Sequence, residues 1–278
     1  MASSRANLDE FDLEPFGVRI ESVPFLEPSA YPWDTDDFIE LFHRMNTLMF
    51  GDRDLAMPQW VLVDHALLAS GVLIVACPAD VLTTLAARPN LDPTRREALL
   101  DLVAAAHEIG FNGPIPVADY CGAPSADPDR RIGWSMCSVV PGHGLGFVAK
   151  ALALAAYRAR LLAGTTQYDN GALRTHTKFG PARIAGAVVG LHTAPHTLLY
   201  ETDFARWQSG AASTGHDVPP TWLVEPTDTD CHRKMQAMID ARTHTLTILP
   251  PGIVTRGDTQ LVPILATETL DPANADAA

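Results

Sequence analysis

Apolar residues recur along this chain with two periods. In "DTDDFIELFHRMNTLMF", Phe38, Leu41, Phe42, Met45 and Leu48 follow one another at three- and four-residue spacing behind Asp36 and Asp37. That spacing predicts a helix with one apolar stripe, and the acidic first turn suits the positive end of the helix dipole. From Asp92, "DPTRREALLDLVAAAHEIG" shows an N-cap, proline at the first helical position, a basic pair, apolar spacing and a closing glycine. It predicts a second helix. "VRIESVPF" predicts a strand after seventeen residues with little pattern. "QWVLVDHALLASGVLIVACP" alternates at Trp60 and Leu62, breaks from Asp64 to Ser70 and resumes at Val72 to Val75. It predicts two strands joined by a turn, with a helix over "DHALLAS" as the alternative.

Further along, "IGWSMCSVV" has the β-branched and aromatic content of a strand. A glycine turn follows, then a helix expected from about Phe147 to Leu162, apolar nearly all round except for Lys150 and the arginines near its end, and therefore buried on most sides. "TTQYDN" predicts a short strand, "GALRTHTKFG" a short helix closed by Gly180, and "TLLYETDF" another strand. After Phe204 the run "QSGAASTGHDVPP" reads as a linker, ahead of a helix in "DCHRKMQAMIDAR" and a strand in "THTLTIL". The expected organisation is a loose segment over 1–17, one domain over 18–204, and an extension over 205–278 packed on the core with a loose tail. The expected fold class is α+β, a mixed, centrally antiparallel sheet flanked by helices.

Composition narrows the function classes. With 278 residues, 47% hydrophobic and 19% charged, the chain can bury a substantial core without staples. No apolar run reaches the roughly 18 to 20 residues that a membrane span needs, and the acidic N-terminus lacks the layout of a signal peptide. A soluble cytoplasmic protein, with no membrane partner, is expected. The formal charge of −13 argues against general affinity for nucleic acid. Cys77, Cys121, Cys137 and Cys231 form no CxxC pair, so neither a zinc ribbon nor a disulfide framework is suggested. Cys77 and Cys137, in apolar strand-like runs, read as small buried hydrophobes.

The segment that carries chemistry is "VVPGHGLGFVAKALALAAY", with Gly142, Gly144 and Gly146 between a strand-like and a helix-like run. The first amides of a helix lack internal partners, and glycine permits both positive φ and close approach, so the amides of residues 142 to 147, across Gly142, His143, Gly144, Leu145 and Gly146, can point at one anion. A plain strand-to-helix turn is the alternative. No Lys-Ser/Thr follows the last glycine, and the GxGxxG spacing is missing, so neither a Walker loop nor a dinucleotide fingerprint is present. The order of elements around this turn, covering roughly residues 18 to 204, resembles the GNAT acyltransferase family. In that family a Gln/Arg-x-x-Gly-x-Gly/Ala turn holds the pyrophosphate of acyl-coenzyme A, and an Asn after the next strand contacts the pantetheine arm. Gly144 and Gly146 match the two small positions and Asn170 matches the Asn. Pro141 stands at the Gln/Arg position, and the spacing from Asn170 to Gly180 is about one residue shorter than usual. At or beside the family's thiolate-protonating tyrosine this chain has "THTKFG", which makes His176 the substitute acid. The resemblance implies acyl transfer from acyl-coenzyme A, or an acyl-carrier protein, to a small-molecule amine acceptor, without a metal. Its alternative is a non-catalytic fold that binds a ligand or partner.

Acyl transfer to an amine needs a held thioester, donors for the oxyanion and removal of the amine proton. The backbone at Ser138 and Val139 is the candidate for polarising the carbonyl. Glu108, Asp119 and Glu201 are candidate bases, Glu201 being carried as the catalytic one; a solvated surface position is the alternative for each. His176, His192 and His196 raise a second rival, a zinc hydrolase, though Pro195 breaks the helical face between the last two and no HExxH-type base accompanies them. "DYCGAP" offers a thiol, with His107 or His143 as its base, but a lone Cys is more often structural. Tyr120 and Trp134 are expected in the core, with an acyl pocket as the alternative. The long insertion between Pro78 and Ile132 suggests a helical cover.

Overall fold

The computed structural model describes residues 36–67, 72–140, 142–156, 159–190, 194–208 and 218–269. The N-terminal segment, the strand expected in "VRIESVPF" and His192 lie outside the described residues. The chain divides into two compact units, one running to Ala126 and resuming over Gly133–Arg158, the other made of Asp127–Ile132 and everything from Ala159.

The first unit contains α1 (Asp36–Phe50), α2 (Gln59–Leu67), β1 (Val72–Cys77), α3 (Ala79–Ala86), α4 (Pro93–Glu108), β2 (Ile115–Pro124), most of β3 (Arg130–Ser138) and α5 (Leu145–Ala156). The stripe predicted on α1 is its buried face: Phe38, Leu41, Phe42 and Met45 are all fully enclosed. At the head of α4 the Asp92 carboxylate accepts from the Arg95 amide at 3.1 Å, with Pro93 at the first position, so one amide with no partner inside the helix is satisfied where the sequence placed the cap. β1 pairs antiparallel with β2, from Val72 opposite Cys121 to Cys77 opposite Ile115, and β3 flanks β2 on its other edge. Ile115 to Gly122 are all buried. Eight consecutive buried positions require cover on both faces of a strand, and both α1 and α5 pack on β2.

The second unit contains β4 (Leu161–Gln167), α6 (Ala172–His176) with a 3₁₀ turn over Thr177–Phe179, β5 (Ala182–Gly186), β6 (Thr197–Asp203), α7 (Phe204–Gln208), β7 (Trp222–Val224), α8 (Thr229–Asp240), β8 (His244–Ile248), β9 (Val254–Arg256) and β10 (Thr259–Glu268). Its strands run in the order β4-β6-β5-β8-β10-β7, with β9 paired to β10 alone. Every strand pair whose register is described is antiparallel. The expected α+β class, with a centrally antiparallel sheet flanked by helices, is the one observed. The segment after 204 joins this sheet directly, since Ala182 and Arg183 of β5 lie opposite Ile248 and Thr247 of β8. No described helix is long and apolar enough to cross a membrane.

Several expectations are corrected. "QWVLVDHAL" is the helix α2, not a strand; it packs on α1, and a short apolar run has no period that separates the two choices. The helix after the glycine turn ends by Ala156, because Leu161 and Leu162 pair with Asp203 and Thr202 as the start of β4. Asp119 is not a solvated carboxylate but fully buried, and Trp134 is not core but 59% exposed, while Tyr120 is buried as expected.

Candidate functional site

The glycine turn lies entirely within the first unit. β3 ends at Ser138, whose hydroxyl donates to the Val140 carbonyl at 2.9 Å and accepts from the Val140 amide at 3.2 Å. The Val139 amide donates to the Val117 carbonyl at 2.9 Å, so it serves the strand ladder and is not turned to an outside oxyanion. Gly142 and Gly144 then take φ of 77° and 67°, values at which any Cβ is strained. The first bond inside α5 runs from the Val148 amide to the Gly144 carbonyl at 3.1 Å. The helix therefore offers no acceptor to the amides of Leu145 and Gly146. A Cβ on Gly146 would stand 3.4 Å from Cγ of Met136 and 3.7 Å from the Cys137 carbonyl, so the start of α5 sits close against the end of β3.

Two arginines from the α3–α4 insertion reach this turn. Arg88, in the connection between those helices, places Nη1 3.3 Å from Nε2 of His143, itself only 5% exposed. Arg95 donates through Nη1 to the Ser138 carbonyl at 3.2 Å and lies 2.8 Å from the sulfur of Met49. Arg96 donates to the carbonyls of Ala86 and Arg88, each at 3.1 Å, and so fixes the backbone that carries Arg88. In the sequence Arg95 stands out only as one of the basic pair that opens α4, and Arg88 does not stand out at all. A signal was present: Arg95 and Arg96 occupy the N-terminal end of α4, where the helix dipole disfavours cations, which is the mark of arginines held by partners elsewhere.

Around Asp119, Cys121, Cys137 and Lys150 burial disfavours the charged form of each side chain. Asp119 accepts from the Cys137 amide at 3.0 Å, the Cys137 thiol at 2.8 Å and the Cys121 thiol at 3.3 Å. Burial nevertheless pushes its carboxyl above the ordinary range, the donors only partly opposing that. Burial first, and then Asp119, push the thiols of Cys121 and Cys137 well up. A buried, protonated thiol is a poor nucleophile, so "DYCGAP" is structural. Lys150 of α5 is fully enclosed, and desolvation holds its ammonium well below the usual lysine range.

In the second unit, His176 at the end of α6 is 6% exposed and stacks on Tyr200 of β6, with ring centroids 4.5 Å apart and Nδ1 3.2 Å from the phenol oxygen. Burial alone pushes that phenol above the ordinary tyrosine range. Asn170 is occupied locally, its Oδ1 accepting from the Ala172 amide at 2.9 Å and its Nδ2 donating to Gln167 at 3.2 Å. Glu201 faces Arg183 across the β5–β6 ladder and is ion-paired to it through one oxygen and to Arg130 at 2.9 Å through the other. Glu108 is exposed. His196, at φ 53°, lies edge-on to His232, which stacks on Tyr168 with centroids 3.9 Å apart. Among the described residues no three His, Cys, Asp or Glu side chains are grouped so as to hold a metal ion.

No protein-family model matches the chain, and no curated protein does. Among solved structures, the chain is similar to a protein from Desulfovibrio desulfuricans assigned to the GNAT family of acetyltransferases, with 16% identity and a TM-score of 0.27 over 49% of this chain and 99% of that one.

Proposed function

We propose that the chain is an acyltransferase that moves an acyl group from an acyl thioester, acyl-coenzyme A or an acyl-carrier protein, to a small-molecule amine. The observation that carries this is the turn between β3 and α5. Two left-handed glycines deliver the chain into a helix whose opening amides have no acceptor within it, the backbone arrangement that receives a phosphate. The donor's phosphate is assigned to Gly142, His143, Gly144, Leu145 and Gly146, while Ser138 and Val139, whose hydroxyl and amide are spent on Val140 and Val117, hold the end of β3. Attack of an amine on the thioester carbonyl places charge first on oxygen and then on the departing sulfur. The turn alone carries this assignment; His176 and Asn170 belong to the second unit and are given no place in it.

A second reading, a non-catalytic protein that binds the same ligand, is favoured by one observation: none of the three candidate bases is poised. Glu201 is committed to two guanidinium groups, Asp119 is buried beneath its donors and Glu108 is exposed. Release of free thiol from acetyl- and longer acyl-coenzyme A, assayed against a panel of amines, separates the two. Amine-dependent release supports transfer. Calorimetric binding of coenzyme A without release under any amine supports the second reading, and absence of both removes the phosphate-turn assignment.

A further inference from the structure

We propose that His232 and His196 form an acid-sensitive clasp, which fastens α8 to the β5–β6 connection at neutral pH and releases it on acidification. The clasp lies wholly in the second unit and stands or falls independently of the glycine turn.

His232 and Gln236 are four apart on α8 and so share one face of the helix. Gln236 takes the start of the connection: its Oε1 accepts from the amides of Ala187 and Val188 at 2.8 and 3.1 Å, while its Nε2 donates to Asp240 at 2.8 Å. His232 takes the other end. Its ring, 3% exposed, stacks on Tyr168 with centroids 3.9 Å apart and meets the His196 ring edge-on at 5.9 Å. Tyr168 is bonded to both ends, its hydroxyl donating to the Ala187 carbonyl at 3.1 Å and its amide to the His196 carbonyl at 3.0 Å. The Glu225 backbone is hydrogen-bonded to His232, and Nε2 has no partner among the described residues. The bond therefore runs through Nδ1–H, and the neutral ring keeps Nε2 as a buried lone pair. The face of Tyr168 tolerates a cation; a proton on Nε2, which would have no acceptor, is what the clasp cannot hold. The ionisable groups around the ring are Tyr168 of β4, His196 of the connection, and Asp228 and Cys231 at the head of α8. Asp228, whose carboxylate caps the helix at the Cys231 amide at 2.9 Å, and the Glu225 carbonyl favour the cation. Enclosure first, and then His196, oppose it and hold the imidazole below the ordinary histidine value. Above that value, about 6.5, fastened and released rings are both neutral; below it the released ring takes the proton first, so release grows easier as pH falls toward the fastened value.

The test is amide hydrogen exchange of the full chain followed by NMR from about pH 7.5 to about pH 5, the range that histidine spans, with each rate taken relative to that of the unfolded chain at the same pH. In wild type the protection of the Ala187 and Val188 amides, which Gln236 holds, is expected to fall by about tenfold for each unit that separates the released and fastened values of His232. The β6 amides paired with β4 should keep theirs. His232→Phe keeps a ring on Tyr168 and takes no proton, so its protection should stay level across the range. His196→Asn removes the neighbouring imidazole and suits the positive φ; it should move the fall to higher pH. Level protection in wild type, or an equal fall in His232→Phe, would overturn the proposal. So would simultaneous loss across β6, which is unfolding of the unit and not release of α8. Should His232→Phe fail to fold, an unmoved midpoint in His196→Asn overturns the proposal by itself.

Discussion

The imidazole of His176 and the phenol of Tyr200 stack at 4.5 Å between centroids, with Nδ1 3.2 Å from the phenol oxygen. The contact joins the end of α6 to the middle of β6, so the direction of the imidazole is set by the sheet and not by its own short helix. If His176 donates to the departing thiolate, as the sequence resemblance implies, His176→Ala lowers kcat by about a hundredfold with little change in donor KM. Tyr200→Phe keeps the stack and removes the oxygen, and its loss is expected to be smaller. Steady-state kinetics of the two variants check this. Wild-type turnover in His176→Ala would assign the donor role elsewhere.

Gly164 of β4 lies opposite Tyr200 of β6, and a Cβ there would stand 2.9 Å from the phenol oxygen and 3.1 Å from Cζ. Gly164→Ala must displace the ring, at a cost of about 1–3 kcal/mol. The phenol oxygen is the closest atom, so adding Tyr200→Phe should recover part of the loss, a non-additivity that denaturant titration of the single and double variants reads directly. Strictly additive losses would mean that the ring is not the obstruction.

Gly144 occupies φ 67° at the last position before α5. Gly144→Asp adds a carboxylate where an anion is to be received and is expected to abolish binding of coenzyme A at concentrations that saturate wild type. Gly142→Ala, at φ 77° with nothing within 4 Å of the added Cβ, should cost about 1–2 kcal/mol of stability from backbone strain alone and spare most of the affinity. Melting curves and calorimetry on the pair separate conformational cost from ligand repulsion.

Lys150 supplies a pH prediction. Its ammonium is held well below the usual lysine value by desolvation, so between its folded value and the unfolded value of about 10.4 the unfolded chain binds the extra proton. Stability then falls as pH drops from the unfolded value toward the folded one. Lys150→Met, similar in shape and uncharged, is expected to be more stable than wild type at neutral pH, with the difference shrinking toward pH 10. Denaturant midpoints of both chains across pH 6 to 10 decide it; parallel curves would place the lysine in contact with water.

How much was legible depended on how far each choice was local. The α1 stripe, the Asp92 cap of α4, the strand of "TLLYETDF" and the glycine turn all emerged as read, because periodicity, capping and positive φ are properties of a few neighbouring residues. β2 gave no alternating signal: it is buried on both faces, and Asp119 in its midst reads as polar until Cys137 and Cys121 are seen to donate to it. α2 became a helix through its packing on α1, and Leu161 and Leu162 left a helical run for β4 through their pairing with β6. The same holds for the strands that follow 204, which find partners only in the sheet of the second unit.

The candidate site divides along that line. Sequence alone determined the strand, the turn and the helix that could receive a phosphate, since glycines between an extended and a helical run permit the positive φ that the turn uses at Gly142 and Gly144. Only the tertiary structure brought Arg88 from 55 positions away to His143 and set Tyr200 against His176 from 24 away. It also committed Glu201, read as a base, to Arg183 and Arg130. Local conformation is written in short-range sterics and hydrogen bonding. Which charges meet depends on how packed elements juxtapose residues far apart in sequence, and a single sequence carries no local record of that.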